Sequence, residues 1–252
     1  MSKVEAVIVD LDQTLLHTDK AISAYTVEIF KKCKERGIRL VVATARPYRT
    51  ITQYCSLIDF DAIIVSNGAR IFCKDRQIDF GIQKDSAVKL LQALSHRDDL
   101  RITLETGEQA YSNRPIEDYE TVLTEKLADI ALKEGALKVL VHLDSDTVLP
   151  YVQNQLTDDL YYTIAGGHLL QIMNRSATKW NGIKEALKIC GWSAEEAIYF
   201  GDDQDDVEPI IMCGVGVAVS NAIEAVKEAA DYITESNDHD GVAKFIDKYI
   251  LG

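Results

Sequence analysis

The run Val4-Glu5-Ala6-Val7-Ile8-Val9-Asp10-Leu11-Asp12-Gln13-Thr14-Leu15 decides the fold. A nearly continuous β-branched segment ends in two aspartates one residue apart. A short apolar run bounded by polar residues suits a strand buried on both faces of a parallel sheet. Open α/β sheets bind ligands outside the carboxyl ends of such strands. Asp10 therefore stands where chemistry is expected, and Asp12 reaches the same crevice from the following loop. Two carboxylates there can divide labour, one as nucleophile or metal ligand and the other as general acid and base. Taken alone, the stretch is equally compatible with an acidic loop on a solvated surface.

Working outward, the spacing predicts a helix from about Ile22 to Arg36, closed by Gly37. Ile38 to Ala43 reads as a second buried strand ending at Thr44-Ala45-Arg46-Pro47, with Pro47 suited to the first turn of the next helix. Ala62 to Val65 reads as a third, ending at Ser66-Asn67-Gly68-Ala69. Near Gly81 the rhythm changes. Arg101–Glu105 and Gln109–Ser112 flank Thr106-Gly107-Glu108 as a hairpin. A helix over Ile116–Lys133, a strand over Leu137–Leu143, a helix near Asp146–Thr157 and two strands around Gly166-Gly167 are expected after it. The first rhythm resumes with a helix over Lys179–Cys190, strands at Ala197–Phe200 and Gly216–Val219, and helices near Ile223–Ala229 and Val242–Ile250. The expectation is a doubly wound, Rossmann-like parallel-sheet α/β core made of residues 1–81 and 173–252. An α+β domain, residues 82–172, is inserted into it.

Composition narrows the partners. The chain has 252 residues, 47% of them hydrophobic, with a formal charge of -13. That charge argues against a nucleic-acid or anionic-membrane surface. Five scattered cysteines with no Cys-x-x-Cys pair lead us to expect reduced, mostly buried thiols in a cytoplasmic protein. Neither a signal segment nor a run long enough to span a bilayer is evident. Nothing in the composition speaks to oligomeric state.

One crevice then receives Asp10 and Asp12, Thr44, Lys179, Asp202, Asp205 and Asp206. Carboxylate and carbonyl oxygens suit Mg2+. A hydroxyl, backbone N–H groups and an ammonium neutralise phosphoryl oxygens. A carboxylate can attack phosphorus. Each part has an ordinary reading too: Thr44 as a helix cap, Asn67-Gly68 as a turn, Lys179 as a surface charge.

The ordered set Asp10-Leu11-Asp12-Gln13-Thr14, Ala43-Thr44-Ala45-Arg46-Pro47, Lys179-Trp180-Asn181-Gly182 and Gly201-Asp202-x-x-Asp205-Asp206 resembles the haloacid-dehalogenase-like superfamily, specifically its Cof-type phosphatases. Asn67-Gly68-Ala69 resembles an additional signature of that family. The resemblance implies Asp10 as nucleophile and Mg2+ ligand. It implies Asp12 as a metal ligand through its carbonyl and as acid then base through its side chain. Thr44 and the N–H of Ala45 would hold phosphate, with Lys179 offsetting charge. Asp202 would complete the metal ligands, and Asp206 would orient Lys179 or metal-bound water. Arg46 and Asn67 are candidate substrate contacts, and pairing with a surface carboxylate is an equal reading of Arg46. Two departures stand out. Ala45 replaces the usual Gly, which matters only if φ is positive. Asp205 replaces the usual Asn of the phosphate contact, and a carboxylate cannot donate to phosphate; it either stays at phosphate as a neutral acid that donates as Asn would or serves the metal side, where we expect it. Glu105, Arg114 and His168 of the insertion are candidate specificity residues.

Too few residues separate Asp12 from Thr44 for a domain, so the insertion lies between Thr44 and Lys179. That placement resembles sugar-phosphate phosphatases and one group of phosphomannomutases. The implied function is Mg2+-dependent hydrolysis of a small phosphorylated metabolite, a sugar phosphate first of all, through an aspartyl-phosphate. The alternatives are a phosphomutase with the same chemistry and a non-catalytic phosphometabolite-binding protein.

Overall fold

A computed structural model of the protein describes residues 4–252. In chain order the elements begin with β1 (Ala6–Val9), α1 (Ala24–Glu35), β2 (Arg39–Ala43), α2 (Thr52–Cys55), β3 (Ala62–Val65), β4 (Arg70–Cys73) and β5 (Arg76–Asp79). Next come α3 (Lys84–Leu94), β6 (Ile102–Glu105), β7 (Ala110–Ser112), β8 (Val122–Leu123), α4 (Leu127–Glu134), β9 (Lys138–His142), α5 (Val148–Gln153), β10 (Leu160–Ala165) and β11 (Leu169–Asn174). The chain closes with α6 (Lys179–Cys190), β12 (Ala197–Gly201), α7 (Val207–Met212), β13 (Val215–Val219), α8 (Glu224–Ala229), β14 (Tyr232–Thr234) and α9 (Gly241–Ile246). Two compact units result: residues up to Ile78 with Thr178–Gly252, and Asp79–Ala177.

The first unit holds an eight-stranded sheet of order β14-β13-β12-β1-β2-β3-β4-β5. From β14 to β3 the strands are parallel, and β4 returns antiparallel to β3. β1 lies at the switch point, with the chain winding one way through β2 and β3 and the other way from β12 to β14. Its four residues are at most 1% exposed. Full burial of a Val or Ile side chain stabilises by about 1.5–3 kcal/mol, which is why a continuous apolar run, not an alternating one, writes this strand. Helix α1 starts at Ser23, whose hydroxyl accepts the Thr26 N–H at 3.0 Å. It turns Thr26, Ile29, Phe30 and Cys33 inward at helical spacing.

The second unit is a six-stranded sheet, order β10-β11-β9-β6-β7-β8, antiparallel except for the β7–β8 pair. Leu90, Leu91 and Leu94 of α3, Leu127 and Ala131 of α4, and Val148 and Val152 of α5 share one core with Ile102, Leu104, Val139, Val141, Leu170 and Ile172. Those strand residues alternate along β6, β9 and β11, so one sheet face is apolar and carries the helices.

Three expectations change. The stretch expected as a helix over Ile116–Lys133 is a loop, the short strand β8 and then α4. Ile116, Tyr119 and Leu123 fit helical spacing, yet Thr121 Oγ1 bonds Ser112 Oγ at 2.6 Å and the Thr124 N–H donates to the Ser112 carbonyl at 2.8 Å. Pairing with β7 overrides the local pattern. Strands β4, β5 and β14 and helices α3 and α7 join the predicted set. Cys73 and Cys190 form a disulfide between β4 and α6, while Cys33, Cys55 and Cys213 are free. A pair 117 residues apart leaves no local spacing to read. No helix among the described residues is long and apolar enough to cross a membrane.

His142, at the end of β9, is 3% exposed, and its Nε2 has no hydrogen-bond partner among the described residues. Burial and the neighbouring Arg101 guanidinium hold its pKa below the ordinary histidine value. The unfolded chain therefore binds a proton that the folded chain refuses, and stability falls as pH drops below about 6.5. We expect the loss of unfolding free energy between pH 7 and pH 5 to be smaller in His142→Gln, measured by urea denaturation at both pH values. Equal losses in the two proteins would remove His142 from the account.

Candidate active site

Four strand ends meet at one edge of the first sheet. The Asp10 N–H donates to the Phe200 carbonyl at 3.0 Å, and the Thr44 N–H to the Ile64 carbonyl at 2.9 Å. The register thus brings Asp10, Thr44, the Ser66–Gly68 turn and Asp202 side by side.

Lys179 arrives from the other direction, as the first residue of α6. The Thr178 hydroxyl caps this helix by accepting the Asn181 N–H at 3.1 Å. Two glycines let the helix start so close to β3. A Cβ on Gly68, where φ is +89°, would lie 2.1 Å from the Thr178 carbonyl oxygen, and one on Gly182 would lie 2.6 Å from Ile64 Cγ2. Held there, the Lys179 ammonium donates to Asp10 Oδ1 at 2.7 Å and Asp206 Oδ1 at 2.6 Å. All three side chains are at most 7% exposed. Burial opposes the ammonium, but the two carboxylates outweigh it and keep Lys179 charged.

Asp206 is saturated. Besides Lys179, its Oδ1 accepts the Tyr199 hydroxyl at 2.6 Å, and its Oδ2 accepts the N–H groups of Asp202 and Asp203 at 2.9 and 3.0 Å. Gly201 makes this possible: a Cβ there would stand 2.5 Å from Asp206 Cβ. Asp206 therefore holds Lys179 and the Asp202 backbone in place. Asp202 Oδ1 accepts the Thr14 hydroxyl at 2.6 Å. Burial first, and then the Asp206 charge, raise the Asp202 carboxyl to about 7. Asp10 is raised as well, by burial and by Asp206 and Asp202 against the pull of Lys179.

Asp10, Asp202 and Asp206 place carboxylate oxygens within 4.8 Å of one another. Three carboxylates face one ammonium, so ionising all of them would leave an excess of two negative charges, and that repulsion adds to burial in raising Asp10 and Asp202. Asp206 is consumed by its donors, whereas Asp10 and Asp202 each keep one oxygen outside these hydrogen bonds. Hard oxygen donors with that charge fit a divalent cation such as Mg2+.

Asp12 follows in a wide turn over Leu11–Leu15 that kinks at Gln13, φ 59°. Arg46 grips its carboxylate with a fork, Nε to Oδ2 at 2.6 Å and Nη2 to Oδ1 at 2.7 Å, and Lys20 Nζ reaches Oδ1 at 2.8 Å. Burial raises the Asp12 carboxyl, but Arg46 and Lys20 outweigh it and hold the pKa below the ordinary value. Of the two readings open for Arg46, substrate or a carboxylate, the structure shows its pairing with Asp12. Thr44 is buried, and its hydroxyl accepts the Arg46 N–H at 3.2 Å. Ala45 is not among the residues of positive φ, so glycine is dispensable at that position. Asn67 has φ 56° and donates through Nδ2 to Asp205 Oδ2 at 2.5 Å. Asp205, expected on the metal side, lies outside the carboxylate cluster and faces an amide instead.

Of the insertion candidates, Glu105 is buried on β6 with Lys138 as its cross-strand partner. His168 sits in the β10–β11 turn, Nδ1 2.9 Å from the Gly166 carbonyl oxygen. Arg114 donates to the Asp98 carbonyl. Sequence reasoning missed Tyr199, Thr14 and Lys20. Tyr199 looks like one more core residue of β12, and only its place three residues before Asp202 could have marked it.

The sequence model of the haloacid dehalogenase-like hydrolases matches residues 7–246. The chain belongs to this family. Among related hydrolases, the 5-amino-6-(5-phospho-D-ribitylamino)uracil phosphatase YitU of Bacillus subtilis is 30% identical, with 98% of each chain covered. The Escherichia coli phosphatase YbjI, named for the same compound, is 26% identical over 98% of this chain and 96% of its own. A crystal structure of a haloacid dehalogenase-like hydrolase from Bacteroides thetaiotaomicron superimposes with a TM-score of 0.87 at 26% identity, covering 98% of this chain and 99% of the other.

Within this hydrolase, Asp206→Asn would turn an amide N–H2 toward either the two backbone donors or the Lys179–Tyr199 pair. Breaking one partner of a buried ion pair typically costs about 3–5 kcal/mol, whereas Tyr199→Phe removes a single hydrogen bond and should cost about 1 kcal/mol. Chemical denaturation of both variants measures the ratio; equal losses would show that Asp206 is no hub.

Proposed function

We propose that the protein is a Mg2+-dependent phosphomonoester hydrolase that works through an aspartyl-phosphate on a small phosphorylated metabolite. The observation that carries this reading is the excess of carboxyl groups over ammonium at the Asp10–Lys179–Asp206 line and Asp202, which a bound cation would let ionise. A site that must accept a phosphate needs that excess offset, and a divalent cation does so. Asp10, Asp202 and the Asp12 carbonyl would hold the ion, which when bound neutralises and orients the phosphoryl oxygens.

The residues divide the chemistry as follows. An Asp10 oxygen attacks phosphorus and the ester P–O bond breaks, while Asp12, which Arg46 and Lys20 keep ionised in the free protein, takes up a proton as substrate binds and passes it to the departing alcohol. Asp12 then takes a proton from water, which attacks the phosphoryl group and returns Asp10 as a carboxylate. Lys179 holds Asp10 in line and offsets its charge. Thr44 and the Ala45 N–H face the phosphoryl oxygens. Among substrates, a sugar or sugar-alcohol phosphate is favoured, because YitU and YbjI are named for a compound whose phosphate sits on a ribityl chain.

Phosphate release from a panel of sugar and polyol phosphates with Mg2+ tests the reading. Turnover should vanish on chelation and return with Mg2+. Asp10→Asn should lower kcat by at least about a thousandfold, as loss of a nucleophile does. Rapid quench of the wild type should find the phosphoryl group on Asp10. Interconversion of sugar phosphates without phosphate release, or substantial turnover by Asp10→Asn, contradicts it.

A further inference from the structure

We propose that Lys20 is a positioning residue that, with the Arg46 fork, fixes the orientation of the Asp12 carboxylate for proton transfer. The inference rests on the phosphatase reading above and adds a residue to it.

Lys20 stands in the turn over residues 17–21. The His17 N–H donates to the Ala21 carbonyl at 3.0 Å, and the Lys20 N–H to the His17 carbonyl at 2.8 Å. Its φ is 69°, a left-handed conformation that glycine adopts freely and lysine rarely does. The turn is pinned from outside. The Thr18 N–H and hydroxyl donate to the two Asp238 oxygens at 2.7 and 2.8 Å, and His17 Nε2 lies 2.9 Å from Asp240 Oδ1. Asn237 Nδ2 donates to the Leu16 carbonyl at 2.9 Å. A strained lysine in an anchored turn thus delivers its ammonium to one carboxylate.

Stability does not explain this arrangement. The Lys20 and Asp12 side chains are 45% and 37% exposed, and pairs that wet add little to folding. Orientation does explain it. An ionised carboxylate offers about four lone-pair sites, and Lys20 and Arg46 occupy three of those on Asp12. One site remains for the travelling proton. Arg46 is itself fixed: its N–H donates to the Thr44 hydroxyl, its carbonyl accepts the Ser66 N–H at 2.9 Å, and its guanidinium lies 5.8 Å from the Tyr54 ring centroid. Removing Lys20 frees one edge of Asp12 and lets the carboxylate rock about the Arg46 fork.

The test compares Lys20→Met, Lys20→Arg and Lys20→Gly with wild type, using p-nitrophenyl phosphate and phenyl phosphate in Mg2+. The phenolate leaving group needs the proton more. Lys20→Met should lower kcat for phenyl phosphate by about tenfold, a part of what general acid–base catalysis supplies, and less for p-nitrophenyl phosphate. KM and the Mg2+ concentration for half-activity should stay within about twofold, since only a transition-state interaction is lost. Lys20→Arg should restore most of the rate. Lys20→Gly relieves the backbone strain, so it should melt no lower than wild type while being as slow as Lys20→Met. A Lys20→Met kcat equal to wild type, or equal losses with both esters, overturns the assignment. A wild type that releases phosphate from neither ester overturns the phosphatase reading and takes this one with it.

Discussion

A single buried ammonium organises the first unit. Lys179 lies between Asp10 and Asp206, and the three side chains are at most 7% exposed. Such a group is costly unless every lone pair and proton is used. The surrounding structure reads as the means of using them: Tyr199 and two backbone N–H groups on Asp206, the capped start of α6, and the glycines that admit helix and loop to within contact distance. The site is fixed by electrostatic necessity as much as by apolar packing.

Much of this was legible in the chain itself, for a definable reason. Asp10 and Asp202 each follow an apolar run that is buried on both faces, so the sequence marks both the strand and its end. Thr44 and the Ser66–Gly68 turn are marked in the same way. Lys179 and Asp206 carry no such local mark: each joined the crevice only by its place in the order of the other parts, and the resemblance to a family gave it a role. Contacts between distant residues were invisible. Asn67 and Asp205 are 138 positions apart and meet only because α6 and β12 return to the first strands. The Arg46–Asp12 fork is of the same kind: from sequence, Arg46 had as good a claim to substrate as to a carboxylate. In the second unit, local periodicity misled where β7 recruited its neighbour; at the edge of the first sheet, β5, with no residue fully buried, offered no apolar pattern to find.

Asp205 shows how a departure from a family pattern is absorbed. Substitution of an amide by a carboxylate would add charge to a cluster already in excess. The structure gives that carboxylate to the Asn67 amide, which lies on a residue of left-handed backbone between β3 and α6. The pair ties the loop after β12 to the turn after β3, so the extra charge is spent on joining two strand ends.

The Cys73–Cys190 bond has a topological meaning. The two cysteines flank the whole of the second unit, Asp79–Ala177. When bonded, they close the chain into a ring from which that unit is a loop, and the first unit becomes covalently continuous without it. A protease that cut the chain twice within the loop would leave both halves of the first sheet still joined. The insertion is thus an excursion between two points that chemistry has already connected.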